Sequence, residues 1–312
     1  MAPGSRRTTW YSTPPARSSY RAVSWRWCRA SADRPASRLG RMTRIAVIGG
    51  GRIGEALIAG LLESGHAVRD LVVAEKSTTR AAELASVFGI LTASIGEASE
   101  NADVIVLAVK PGDVDSAVTE VAKTDLDGDR EQLIVSLAAG VPTSKFEPKL
   151  PAGFPVVRVM PNTPMLVGEG VSVLAPGRYA KAEHLELVRS ILSSVGKVVV
   201  VKENQLDAVT AVSGSGPAYF FLVAEAMIDA GVGLGLTRDV ASALVVQTMV
   251  GSAAMLDRAD ETPTELRYAV TSPGGTTAAA VRKLEENGLR TAFFDALDAA
   301  KARASEMGVT AE

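Results

Sequence analysis

The chain has 312 residues, enough for two ordinary domains with well-buried cores. Apolar residues make up 47% and charged residues 22%, which excludes a fibrous or disordered chain. A net charge of -2 gives no bulk attraction to nucleic acid or to an anionic membrane, so partners have to be argued from sites.

That average hides a break at Met42. Residues 1–41 hold nine Arg, one acid (Asp33), all three Trp and the only cysteine, Cys28. The segment has the Arg- and Ser-rich composition of a transit peptide, but no apolar face at helical spacing and no secretory h-region. Met42 stands directly ahead of an apolar run, so the expectation is a disordered or mis-assigned N-terminal extension. From Met42 onward there is no cysteine, which excludes disulfides, cysteine-ligated metal and thiol catalysis from that part and fits a cytoplasmic enzyme.

From Arg44 short apolar runs alternate with helix-like segments, the signature of βαβ units and a parallel sheet. The patterning predicts strands over 44–49, 70–74, 103–109, 132–137, 155–159, 170–174 and 197–201, with helices over 52–64, 78–87 and 113–123 among the early ones. After Asp207 only helices are predicted: 217–232, 238–257, 263–270, 276–286 and 289–307. The expected organisation is an α/β, Rossmann-type parallel sheet domain over 42–206 followed by an all-helical dimerisation and substrate domain over 207–312.

The first predicted strand runs into Gly49-Gly50-Gly51-Arg52-Ile53-Gly54, a G-x-G-x-x-G opening a helix. Gly49 permits the tight turn, Gly51 lets backbone approach a pyrophosphate, Gly54 lets the helix pack on the strand, and the helix N-terminus stabilises the phosphate charge. At the end of the second strand Glu75 is placed to accept from a ribose 2′-hydroxyl, whereas Lys76, Ser77, Thr78 and Arg80 are suited to a 2′-phosphate. The choice between NADPH and NADH stays open. Ala108-Val109-Lys110-Pro111 and Ala138-Ala139-Gly140 close the next two strands at carboxyl edges, where small residues let a nicotinamide ring approach backbone.

Met160-Pro161-Asn162-Thr163-Pro164 is a rigid loop, and Ser213-Gly214-Ser215-Gly216-Pro217-Ala218-Tyr219 opens the first long helix, with Pro217 in its first turn. The 240–256 run has no charged residue. It is shorter than a membrane span and ends in Asp257-Arg258-Ala259-Asp260, so it reads as a buried helix that a second subunit helps to cover, in an interlocked homodimer. Thr262-Pro263-Thr264-Glu265 is a capping box. Thr271-Ser272-Pro273-Gly274-Gly275-Thr276-Thr277 offers more N–H groups and hydroxyls than a cap needs, either a carboxylate receptor at a helix N-terminus or a plain cap.

These motifs, in this order, resemble the pyrroline-5-carboxylate reductase family from Met42 to the end, and the Ser213–Tyr219 and Ser272–Thr277 segments are the most specific of them. The resemblance implies reduction of 1-pyrroline-5-carboxylate to L-proline with NADPH or NADH, in a cytoplasmic homodimer or a ring of dimers. It also implies that Ser272, Gly274, Gly275, Thr276 and Thr277 bind the substrate carboxylate, that the Thr277 hydroxyl lies near the ring nitrogen, and that Glu203 contacts substrate. Its cofactor positions are Gly49, Gly51, Arg52, Ile53, Gly54, Glu75, Lys76, Ala108, Val109, Lys110, Pro111, Ala138, Ala139, Gly140 and Asn162. A β-hydroxyacid-dehydrogenase-like oxidoreductase would need a lysine acid-base, and there is none between Lys202 and Lys283. A non-catalytic dinucleotide-binding regulator is the other alternative; intact Gly274, Gly275 and Thr277 argue against it.

Overall fold

The computed structural model describes residues 43–124 and 132–310, so the expectation for 1–41 lies outside the described residues. Mostly apolar runs become strands: β1 (Ile45–Ile48), β2 (Leu71–Ala74), β3 (Leu91–Thr92), β4 (Val104–Leu107), β5 (Leu133–Ser136), β6 (Val156–Met160), β7 (Gly170–Pro176) and β8 (Gly196–Val200). They form one sheet in the order β3-β2-β1-β4-β5-β6-β7-β8. Every residue of β1, β2, β4 and β5 is buried. Strands covered on both faces have no solvent side, which is why their sequences do not alternate.

The helices are α1 (Arg52–Glu63), α2 (Thr78–Phe88), α3 (Ile95–Ser99), α4 (Val114–Val121), α5 (Ala182–Leu192), α6 (Leu206–Val209), α7 (Gly216–Gly233), α8 (Arg238–Arg258), α9 (Pro263–Ala269), α10 (Thr276–Glu286) and α11 (Leu289–Thr310). Successive strand residues point to opposite faces. Ile45, Val47, Val104 and Val106 therefore pack with Leu57 and Leu61 of α1, Leu84 of α2 and Val188 of α5. Ala46, Ile48, Ile105 and Leu107 pack with Ala98 of α3 and Val114 and Val118 of α4 on the other side.

All seven predicted strands form, and four elements are additional, the one-turn α6 among them. β3 is two residues long, too short for periodicity to register. α3 is one turn held by a reciprocal Ser94–Glu97 cap. α5 hides a core stripe, His184, Val188, Ile191 and Leu192, among charges that make the segment read as surface. One pairing departs from the expected parallel sheet: β7 runs antiparallel to β6. The connection from Pro161 to Glu169 is a single 3₁₀ turn closed by left-handed Gly168, too short to carry the chain back for a parallel crossover.

Beyond β8 the chain is helical. α7 and α8 pack on one another, and α11 lies against α6 and the π-helical turn 210–214 that joins α6 to α7. Only Ala241 and Val245 of α8 are buried, while Leu244 is 56% exposed and Phe221 of α7 is 68% exposed. The run Glu203–Gly233 and α8 are long and apolar enough to cross a membrane by length and composition alone. α8 is also the apolar helix that the sequence reading expects a second subunit to help cover. Replacing Leu244 by Glu places a charge on that face, and light scattering is expected to read the monomer mass; an unchanged dimer mass would remove this face from the interface.

Candidate active site

The sheet order reverses direction between β1 and β4, and the glycine-rich turn sits at that point. Gly49 donates to the Ala74 carbonyl at 2.8 Å, and Ala108 donates to the Ile48 carbonyl at 2.8 Å, so the turn is fastened to both neighbouring strands. Gly49 has φ +105°, and a Cβ there would lie 2.7 Å from the Ala108 carbonyl oxygen. Only glycine satisfies both conditions. A Cβ on Gly54 would run into the Gly49 carbonyl oxygen, whereas a Cβ on Gly51 would meet nothing within 4 Å. Gly51 thus leaves open space that the protein itself does not use. It is the N-cap of α1, and no side chain caps that helix. An uncapped helix N-terminus beside a glycine cradle fits the pyrophosphate of a dinucleotide.

Directly after β2, where the sequence reading expects the ribose, the Glu75 carboxylate is engaged within the protein. One oxygen accepts from Gly50 N–H at 2.8 Å and the other from Ser77 N–H at 2.9 Å. Arg80, which the sequence reading offered to a 2′-phosphate, spans this turn: Nε donates to the Gly50 carbonyl at 2.9 Å, and the guanidinium pairs with Glu55 and Glu83. Partial burial works against its charge, but its hydrogen bonds and charge attraction to Glu83 and Glu55 outweigh this and raise its pKa. Lys76 is exposed and reaches Asp113 at 3.1 Å.

Arg52, Lys110 and Pro111 are exposed, Ile53, Ala108 and Val109 are half-buried, and Ala138 is buried with half-buried Ala139 and Gly140 after it. All lie at the carboxyl ends of adjacent strands or in the turns that follow. Gly140, at φ +76°, abuts α11: a Cβ there would be 3.5 Å from Met307 Cβ. Asn162 spends both ends of its amide internally, accepting from Val171 N–H at 2.8 Å and donating to the Ser213 carbonyl at 3.2 Å. These bonds tie the loop after β6 to the π-helical turn.

Glu203 stands in the turn that opens the helical part. Its carboxylate accepts from Thr143 N–H and Thr143 Oγ1, both at 2.7 Å, and pairs with Arg158 of β6 at 3.3 Å. Thr143 and Arg158 were absent from the sequence reading, although an arginine inside the apolar run Val156–Met160 is a readable signal of a buried partner.

Ser272, Gly274 and Thr276 are exposed, Gly275 and Thr277 half-buried. Gly275 is the N-cap of α10, Gly275 N–H donates to the Ser272 carbonyl at 3.0 Å, and no side chain caps the helix. By contrast α2, α3, α8 and α9 are each closed by a Ser or Thr side chain. The loop's own hydrogen bonds do not carry it to the sheet edge. Among the described residues no group of His, Cys, Asp or Glu side chains is placed to hold a metal.

Residues 203–307 match the family model described as pyrroline-5-carboxylate reductase dimerisation, and residues 44–140 match one described as NADP oxidoreductase, coenzyme F420-dependent. A pyrroline-5-carboxylate reductase of Mycobacterium tuberculosis is 51% identical over 291 residues, covering 87% of this chain and 99% of that protein. One of Pseudomonas aeruginosa is 44% identical over 266 residues, covering 85% and 96%. The solved pyrroline-5-carboxylate reductase of Coxiella burnetii superposes with a TM-score of 0.81 at 37% identity, covering 86% of this chain and 99% of that one. That of Plasmodium falciparum, solved with NADP bound, gives 0.75 at 31% identity, covering 85% and 98%.

Because a Cβ at Gly51 touches nothing in the protein, Gly51→Ala is expected to melt within about 1 °C of the parent while binding the dinucleotide at least about tenfold more weakly. Titration and thermal denaturation of the same sample check it. Unchanged affinity would take the pyrophosphate away from this turn.

Proposed function

The chain belongs to the pyrroline-5-carboxylate reductase family, and we infer from that membership how its own residues reduce the imine of 1-pyrroline-5-carboxylate to L-proline in the last step of proline biosynthesis. The observation that carries the assignment of roles is a shared peculiarity of two helices. α1 and α10 begin at glycines with no side-chain cap; four other helices are capped by hydroxyls, and α4, α6 and α7, which also lack a side-chain cap, begin at Asp113, Gln205 and Ser215. Open N-terminal N–H groups are anion receptors, and the reaction has two anions to hold, a pyrophosphate and a carboxylate.

Gly49, Gly51, Arg52, Ile53 and Gly54 receive the pyrophosphate. Lys76, free of the glycine turn, takes the 2′-phosphate of NADPH, and Glu75 acts by pinning the turn through Gly50. NADH uses the same cradle without the Lys76 contact. Ala108, Val109, Lys110, Pro111, Ala138, Ala139 and Gly140 line the nicotinamide edge, with Asn162 holding the adjoining loop. Bound there, NADPH supplies the hydride.

Ser272, Gly274, Gly275, Thr276 and Thr277 hold the substrate carboxylate on the α10 N-terminus, and the Thr277 hydroxyl sits at the ring nitrogen. The protonated imine is already a good hydride acceptor, so no strong side-chain acid is needed. Thr277 orients the nitrogen and keeps its proton in place. Alignment and electrostatic stabilisation carry the barrier reduction.

The chain acts on a small molecule as a homodimer, whose interface accounts for the exposed faces of α7 and α8. Dimers associate further into a ring, in the cytoplasm, away from membrane and nucleic acid.

The test is loss of NADPH or NADH absorbance at about 340 nm on adding 1-pyrroline-5-carboxylate. Rapid oxidation is expected, faster with NADPH; a folded chain that oxidises neither would overturn the reading. Thr277→Ala is expected to lower kcat/KM at least about tenfold and leave NADPH affinity within about twofold, whereas an equal loss of cofactor affinity would move Thr277 off the substrate.

A further inference from the structure

Resting on the reductase reading above, we propose that Glu203 is a positioning residue, which acts through Thr143 and Arg158 to fix the 138–143 turn and so sets where the nicotinamide edge stands against the imine. The cluster joins three elements. Thr143 belongs to the turn after β5, Arg158 to β6, and Glu203 to the turn that opens the helical part. Thr143 is 5% exposed and Arg158 8%, so the bonds lie largely out of water, where a charged acceptor holds its partners strongly.

Both Glu203 oxygens are used on this cluster: Oε1 accepts from Thr143 N–H and Arg158 Nη1, and Oε2 from Thr143 Oγ1. The guanidinium compensates the carboxylate's charge. A carboxylate committed in this way positions the backbone it holds.

The turn it holds is fastened at its other residues as well. Leu137 N–H donates to the Leu107 carbonyl at 2.9 Å and Ala138 N–H to Ser136 Oγ at 3.4 Å. Gly140 lies under the end of α11, where a Cβ on Gly308 would be 3.2 Å from the Gly140 carbonyl oxygen. Gly140 sits between these anchors in a left-handed conformation, and Thr143 is where a side chain from the turn that opens the helical part hydrogen-bonds to it. Releasing it alters the distance over which hydride moves, to which the rate is steeply sensitive.

The experiment compares Glu203→Gln, Thr143→Val, Thr143→Ser and the Glu203→Gln/Thr143→Val pair in the dimeric enzyme. It uses 1-pyrroline-5-carboxylate with NADPH and with NADPH deuterated at the transferred position. Glu203→Gln and Thr143→Val are expected to lower kcat about tenfold and to raise the deuterium isotope effect, with imine KM and NADPH affinity within about threefold of the parent. The pair is expected to be no slower than Glu203→Gln alone, because both changes cut the same link. Thr143→Ser, which keeps the hydroxyl, is expected to recover most of the loss.

A rise in imine KM for Glu203→Gln with Thr143→Val at parent values would make Glu203 a direct substrate ligand and overturn the proposal. Losses that merely follow a fall in melting temperature, with the isotope effect unchanged, would overturn it too. In both cases the active parent enzyme leaves the reductase reading standing. A parent that binds NADPH without reducing the imine would overturn that reading and this proposal with it.

Discussion

The architecture depends on the close contact between the end of β1 and the end of β4. Gly49 lies against the Ala108 carbonyl with no room for a Cβ, and the two strands run side by side in parallel register from Ile45 with Val104 to Ile48 with Leu107. Strand order departs in opposite directions on either side of that contact, so a crevice opens at the carboxyl ends. It lies above the place where the first helix can point its N-terminus outward. Buried strands, a two-sided helical cover and short turns all maintain that one approach. Widening it by a single methyl group displaces the turn on which α1 begins.

The sheet was legible in the sequence because buried parallel strands leave the plainest trace, continuous runs such as Ile45–Ile48 and Val104–Leu107. What escaped was of another kind. α5 is amphipathic but dressed in charge, and β3 contributes only the length of a bridge. The turn-back of β7 is dictated by the length of a loop, which hydrophobic patterning does not encode.

The candidate site was legible where backbone does the chemistry, because glycines and prolines announce unusual backbone: Gly49–Gly54 and Ser272–Thr277 are visible by composition alone. It was illegible where side chains meet across distance in the chain. That Glu203 reaches Thr143 and Arg158, or that Asn162 ties Val171 to Ser213, follows from tertiary placement that no local pattern contains. Arg80 shows the same limit in reverse. Its place in the turn after β2 was readable, but not its commitment to Gly50, Glu55 and Glu83.

The seating of α11 against Gly140 has a consequence for how the molecule comes into being. Gly140 lies in the turn after β5, which the ribosome delivers early; Met307 and Gly308, which lie against it, come from the last helix. Domains tend to fold in order of synthesis, and contacts between distant parts of a chain form late. The sheet can therefore be complete, with its crevice open and its glycine turn formed, while one wall of that crevice is still missing. At that stage Gly140 lacks the α11 residues that later lie against it. The contact at Gly140 joins residues far apart in the chain, so it is among the last to form and is exposed to whatever disturbs the C-terminal helix.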